Sequence, residues 1–276
     1  MGVEFTSHNI RLDDGTLTKP DDDYPMEVHP LVISTRRILE TVFPGDKSHL
    51  RLADLGCLEG GFAVEFARLG FQVLGIEVRE ANIAACNYVK SKASLPNLEF
   101  VKDNALNIAK YGPFDVVFCS GLLYHLDKPK SFLETLSAVT KKLLILQTHF
   151  ATKDVNKRVF LPTLIRKALS RLEGKDRRID QFCLSRLDQN EGLMGRWFTE
   201  FYGDRSFRKR EASKWASWDN RRSFWIQREY LLQAIKGSGF NLVLEQFDNL
   251  GPDIAANLVR GSYHLNSRGT FIGIKV

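Results

Sequence analysis

The sequence predicts an α/β domain built on a largely parallel sheet, and three observations predict it. From Arg51 onward, short β-rich runs alternate with amphipathic helical patterns, the signature of βαβ units. The first run leads through a glycine-containing loop straight into a helix. The second ends in a carboxylate about twenty residues later, the spacing that α/β sheets use to meet a ribose.

The elements follow in order. Residues 31–43 read as a helix stopped by Pro44-Gly45. The strand runs are 51–55, 72–76, 98–101, 114–119 and 143–147. Between them, 61–69 places Phe62, Phe66 and Leu69 on one helical face with Gly70 as its stop, 80–91 forms a second helix, and 130–141 sets Phe132, Leu133, Leu136 and Val139 at helical spacing. The alternation breaks at Ala151 and resumes near Gln227, with a helix over 228–236 and strands over 241–247 and 270–276. A break of that length is too long for a structureless loop, so it is expected to be helical. Within it, Leu161, Leu164, Ile165, Ala168, Leu169 and Leu172 keep a helical register. The chain therefore divides into an N-terminal segment with the first helix (1–50), a core (51–150), a basic aromatic insertion (151–226) and the C-terminal part of the core sheet (227–276).

Composition narrows the class. With 276 residues, 43% hydrophobic and 26% charged, the chain is neither a disordered polymer nor a collagen-like repeat nor a disulfide-dense scaffold. The net charge of +6 is modest, but it is concentrated: residues 151–222 hold 18 Lys and Arg against 10 Asp and Glu, an excess of eight that leaves the remainder slightly acidic. Cys57, Cys86, Cys119 and Cys183 show no C-x-x-C pairing and read as small buried hydrophobes in a reducing compartment. No run is long and apolar enough for a transmembrane segment and no signal-like stretch opens the chain, so the expected location is cytoplasmic.

The loop after the first strand reads Asp54-Leu55-Gly56-Cys57-Leu58-Glu59-Gly60-Gly61. Dinucleotide sites use G-x-G-x-x-G to seat a pyrophosphate on the helix. Here Leu58 interrupts that pattern, and a carboxylate at Asp54 is ill placed beside phosphates but well placed for an ammonium. S-adenosylmethionine carries an ammonium and no phosphate. On these residues the region from about 50 to 150 resembles the core of class I S-adenosylmethionine-dependent methyltransferases, departing from the family's acidic-x-Gly-x-Gly-x-Gly motif at Leu58. The resemblance implies a Rossmann-like seven-stranded sheet with helices on both faces and the last strand antiparallel, inserted between its neighbours. It implies S-adenosylmethionine as cofactor, held by Asp54, Gly56, Cys57, Gly60 and Phe62 around the loop, by Glu77 and Val78 at the ribose, by Asp103, Asn104 and Ala105 at the adenine, and by Ser120, Gly121 and Leu122 over the methionine part. The string Ser120 to His125, followed by Leu126 and Pro129, is similar to a bacterial subgroup that includes tRNA uridine carboxymethyltransferases.

All four tryptophans fall between 197 and 225, interleaved with arginines. In the family such an insertion lies over the strand ends as a lid. Tyr124, Arg196, Trp197, Arg222 and Trp225 are accordingly expected to meet the substrate, the rings by stacking and the guanidinium groups on an anionic group. A hydroxyl acceptor must lose a proton, and His125 and His149 are the bases expected at strand ends, with His149 favoured. No Asp pair with a His sits there, so no metal is expected. The favoured function is O-methylation of a small or glycosidic, anionic acceptor. The alternatives are a methyl- or carboxymethyltransferase acting on tRNA or another RNA, and a non-catalytic adenosyl-binding module.

Overall fold

Seven strands form one sheet in the computed structural model, which describes residues 3–22, 24–152, 184–201, 206–246 and 267–276. The strands of the core are β1 (Arg51–Leu55), β2 (Gln72–Glu77), β3 (Leu98–Lys102), β4 (Phe114–Ser120) and β5 (Thr140–His149). The last two, numbered in chain order, are β9 (Leu242–Gln246) and β10 (Arg268–Ile274). Their spatial order is β3-β2-β1-β4-β5-β10-β9, parallel up to β5, with β10 antiparallel to both of its neighbours. Helices α1 (Pro30–Val42), α2 (Gly61–Arg68), α3 (Glu80–Lys92) and α4 (Pro129–Val139) connect the first half, and a helix over Arg228–Gly237, α6, precedes β9.

Strand periodicity explains why both faces are covered. Val116 and Phe118 of β4 pack with Leu31 and Leu39 of α1 and with Val64 and Phe66 of α2. Their alternates, Val117 and Cys119, join Leu133 and Leu136 of α4 and Leu231 and Ile235 of α6 on the other side. Each fully buried aromatic or branched side chain here contributes roughly 1.5–3 kcal/mol. Because β1 lies between β2 and β4, the strand order reverses there: the chain runs outward from β1 to β2 and β3, then crosses back to β4 on the other side of β1. The crevice where α/β sheets bind ligands opens at that reversal, beyond the carboxyl ends of β1 and β4.

The helical expectation for the insertion is corrected where its residues are described. There the chain forms a three-stranded antiparallel sheet, β6 (Leu187–Asn190), β7 (Leu193–Thr199) and β8 (Arg222–Ile226), with one short helix, α5 (Phe207–Ala212). Two residues of positive φ, Glu191 at 52° and Gly192 at 79°, make the tight turn between β6 and β7. Cross-strand aromatic contacts then favour extended backbone: Trp197 meets Phe224 at 5.0 Å and Phe198 stacks on Trp225 at 5.5 Å. Gly195 is obligatory, since a Cβ there would lie 2.3 Å from the Trp225 carbonyl oxygen. The helix expected over 160–172 lies outside the described residues, as does Cys183.

The small sheet is tied to the core beside the crevice. Phe224 N–H donates to the Leu126 carbonyl at 2.8 Å, Ala151 bridges Gln227, and Phe224 and Ile226 pack against the α4 and α6 cluster. Cys57, Cys86 and Cys119 are buried free thiols. Among the described residues no helix is long and apolar enough to cross a membrane.

Candidate active site

The carboxyl ends of β1, β2, β4 and β5 open into a cleft of about 1020 Å³. Gly56, Cys57 and Leu58 line it, at the start of a loop with φ of 65° at Gly56, 54° at Leu58 and 83° at Gly60; Gly60, expected to hold the cofactor, shapes the loop from outside the lining. Glycine is required at 60 on two counts, because its backbone is left-handed and a Cβ would lie 2.7 Å from Phe100 Cζ. Leu58, which departs from the glycine pattern, adopts the left-handed conformation anyway. Its N–H donates to Glu77 Oε2 at 3.0 Å, and that bond holds the strained turn.

Glu59 anchors a segment that sequence reasoning gave no role in the site. Its buried carboxylate accepts the N–H groups of Thr6 (2.8 Å), Ser7 (3.0 Å) and His8 (2.8 Å), and the Thr6 hydroxyl at 2.7 Å. Burial opposes the charge, but these hydrogen bonds outweigh it and hold the carboxyl below its ordinary range. The N-terminal segment is thereby strapped over the loop, bringing Ser7, His8, Met26 and His29 to the cleft wall. Glu59→Ala leaves three backbone donors without their acceptor and is expected to cost about 2–4 kcal/mol in urea unfolding.

Asp54, at the end of β1, is 2% exposed, and its Oδ2 has no hydrogen-bond partner among the described residues. Burial pushes its carboxyl up to about 8, against an opposing bond from the Ala63 backbone and with Glu77 adding to the rise. Glu77, 3% exposed, accepts from Leu58 N–H with Oε2 and from Val78 and Arg79 N–H with Oε1, at 2.9 and 2.8 Å. Burial still raises its carboxyl above the ordinary range.

Asp103 does not line the cleft. The turn Ala105–Lys110 brings Asn107 Nδ2 and the Tyr111 hydroxyl back to its carboxylate, both at 2.7 Å, and these bonds hold it at about 2. Asn104 and Ala105 form that stretch of wall instead. Beside them lies a stretch of the insertion, 213–219, from which no individual residue was expected at the site. The Arg79 guanidinium donates to the carbonyls of Ser213 (2.9 Å) and Ala216 (2.8 Å), Asn104 Nδ2 donates to Asp219 at 2.8 Å, and Trp218 borders the opening. The remaining residues expected around the loop, Gly56, Cys57, Phe62 and Val78, line the cleft; Phe62 rests on Phe118 at 5.0 Å.

The other end of the cleft is aromatic. Ser120, Gly121 and Leu122 border it, with the Ser120 hydroxyl donating to Gln147 Oε1 at 2.9 Å. Arg268 also donates to that oxygen, at 2.7 Å. His149 lies flat against Trp225 at 4.8 Å, with the Tyr124 ring edge-on at 4.6 Å and the Ser267 carbonyl 3.3 Å from its Nδ1. One ring face and one nitrogen are thus engaged, and the Tyr124 ring, itself 5.8 Å from Trp225, closes the same corner. His125 is held differently: its Nδ1 lies 2.8 Å from Glu200 Oε1. The Glu200 side chain, 1% exposed, also accepts the Ser223 hydroxyl at 2.7 Å and Ser217 N–H at 3.0 Å. From sequence, ion pairing with an arginine is the natural job for Glu200; its partner is a histidine.

Of the expected substrate contacts, Tyr124 and Trp225 line the cleft and three others do not. Arg196 is buried and donates to the carbonyls of Ser185 (2.9 Å) and Thr152 (3.3 Å). Trp197 donates to Asp188 at 2.9 Å, and the Arg222 guanidinium covers the Trp197 ring at 4.5 Å. Strand alternation is the reason for Trp197 and Arg222: Trp197 pairs with Phe224 on the face turned towards α4 and α6. Arg196 shares a face with Trp225, but backbone carbonyls take up its guanidinium.

Residues 33–245 match the methyltransferase domain family. A ubiquinone biosynthesis O-methyltransferase of Albidiferax ferrireducens is 32% identical over 93 residues, 33% of this chain and 37% of that protein. Its counterpart in Rhodopseudomonas palustris is 33% identical over 94 residues, 34% and 37% of the two chains. The match thus spans little more than a third of the length of these relatives. Among solved structures, the N-terminal domain of EvdMO1 with SAH bound has a TM-score of 0.59 at 20% identity, covering 90% of this chain and 82% of that one. The same domain in the presence of SAH and D-fucose gives 0.59 and 20%, covering 92% and 85%. The S-adenosylmethionine-dependent methyltransferase SibL in its apo form gives 0.50 and 12%, covering 90% and 55%. At these identities the structural likeness is one of fold, and the family match carries the assignment: the chain belongs to the methyltransferase domain family and has the class I methyltransferase fold.

Proposed function

We propose that this chain is an S-adenosylmethionine-dependent O-methyltransferase acting on a hydroxyl of a small or glycosidic, anionic acceptor, with His125 as general base and Glu200 as the carboxylate that orients it. The observation that carries this reading is the 2.8 Å contact between His125 Nδ1 and a buried Glu200 at the edge of the cleft. Such a pair fixes the tautomer, leaves Nε2 to take the proton of the acceptor hydroxyl, and stabilises the imidazolium that results.

The residues present fit the cofactor. The orphaned Asp54 oxygen suits an ammonium; among the residues that line the cleft, Glu77 and Val78 would meet the ribose, Asn104 and Ala105 the adenine, and Ser120 to Leu122 the methionine part. When bound, S-adenosylmethionine supplies an electrophilic methyl group on a positively charged sulfur. The protein's task is then to align the acceptor and keep the site dry. Tyr124, His149 and Trp225 build an apolar wall for that purpose. The names of the O-methyltransferase relatives, and D-fucose in a structure of the same fold, support a hydroxyl on a small or sugar-like molecule. An RNA acceptor loses part of its support, since Arg196 and Arg222 are engaged within the small sheet.

Calorimetric titration tests the cofactor assignment. S-adenosylmethionine and S-adenosylhomocysteine should bind and NAD should not; preferential binding of NAD overturns the reading. Asp54, with its carboxyl at about 8, is roughly nine-tenths protonated at pH 7 in the free protein. An arriving ammonium favours the carboxylate, so close to one proton should be released on binding. The apparent enthalpy then differs between phosphate and Tris buffers at pH 7. Equal enthalpies would mean that Asp54 is already ionised in the free cleft.

A further inference from the structure

We propose that His8 is a cofactor-binding residue, its Nε2–H donating a hydrogen bond to the carboxylate of the methionine portion of S-adenosylmethionine. The proposal rests on the cofactor reading above.

His8 belongs to no motif, and its role emerges only from where the N-terminal strap is fixed. Its backbone N–H is pinned to Glu59 at 2.8 Å, which places the imidazole at the first turn of α2. There Nδ1 accepts the Gly61 N–H at 3.0 Å. A nitrogen that accepts carries no proton, so the proton of the neutral ring is on Nε2. The ring does stay neutral: burial is the main cause, with His29 and Lys19 adding to it and Glu59 opposing, and together they hold its pKa at about 4. Nε2 has no hydrogen-bond partner among the described residues, and His8 lines the cleft. Its plane is fixed by Phe62, which it meets edge-on at 5.5 Å. His29 meets the same Phe62 at 5.7 Å, and its Nδ1 accepts the Leu31 N–H, so its proton also lies on Nε2.

Asp54 is the independent sign that a ligand belongs at this end. Asp54 lines the same cleft as His8, and its buried Oδ2, without a partner among the described residues, calls for a cation. An amino-acid group that brings an ammonium to Asp54 brings a carboxylate within two bonds of it. That carboxylate, close to Asp54 and Glu77, needs a donor to offset the repulsion. The basic side chains of the cleft wall have other bonds: Arg79 to the Ser213 and Ala216 carbonyls, Lys214 to Thr6 and Glu59, Arg268 to Gln147. His8 is the donor that the α2 end supplies.

The test compares S-adenosylmethionine with its decarboxylated form, which keeps the ammonium, ribose and adenine, by calorimetry on the full chain. Wild type should prefer the intact cofactor by about tenfold, the worth of one hydrogen bond to a charged group. Equal affinities overturn the proposal. His8→Asn keeps an acceptor near the Nδ1 position for Gly61 but removes the Nε2 donor. It should lose that tenfold towards S-adenosylmethionine while binding the decarboxylated form as wild type does. A parallel loss for both ligands, or no loss for either, overturns the proposal; the parallel loss would make His8 a positioning residue of the loop. Should wild type bind neither ligand, the cofactor reading itself falls, and the proposal with it.

Discussion

His125→Ala is expected to lower methyl transfer by roughly 10² or more while cofactor affinity stays within a factor of two. The argument is geometric. A base must present one nitrogen to the acceptor while the other is anchored, and His125 is anchored at 2.8 Å by a carboxylate that three donors from 217, 223 and the imidazole itself surround. Glu200→Gln keeps the shape but removes the charge that stabilises the imidazolium, and should cost about tenfold or more in kcat with little change in KM for the acceptor. His149→Ala should behave differently: its ring stacks on Trp225 and meets the Tyr124 ring edge-on, so removing it loosens the acceptor wall and raises KM more than it lowers kcat. Full turnover in His125→Ala would mean that the acceptor atom needs no base, and the hydroxyl assignment would fail.

What the sequence could disclose is what local periodicity encodes. The seven strands and the helices between them follow from alternation and helical spacing, and the carboxylates at 54 and 77 stand out because they fall at successive strand ends. What it concealed are contacts between distant segments. The Glu59 carboxylate meets residues 6–8 more than fifty positions away, and Glu200 meets His125 across seventy-five. No spacing rule reports such pairs. Asp103 sits at the expected strand end, yet Asn107 and Tyr111, one turn further on, draw its carboxylate out of the cleft wall. The insertion misled for a related reason. Its length demanded structure of its own, but length does not choose between helix and strand; the tight turn at Glu191-Gly192 and the paired aromatics do. Once the segment is read as strands, alternation also accounts for why Trp225 reaches the cleft and Trp197 does not.

Glu77→Ala should produce the largest loss of stability of any single change at the site, about 3–5 kcal/mol in denaturant unfolding, together with a fall in S-adenosylmethionine affinity of roughly 10² or more. Its carboxylate is the acceptor for three backbone N–H groups drawn from two loops, those of Leu58, Val78 and Arg79. Each donor left unpaired in a buried position costs about 1–3 kcal/mol. Leu58 is the most sensitive of the three, because a leucine at φ 54° carries roughly 1–2 kcal/mol of backbone strain that the bond to Glu77 offsets. Without that bond the Gly56 to Gly60 loop is expected to relax, and the ribose would lose its carboxylate at the same time. Glu77→Gln should fall between: its amide oxygen can serve one loop, but its NH₂ then faces the donors of the other. The two effects separate experimentally, since saturating S-adenosylmethionine raises the unfolding midpoint only as far as the variant still binds it. Wild-type midpoint and affinity in Glu77→Ala would show that the loop holds its shape without the carboxylate, and would remove Glu77 from the cofactor site.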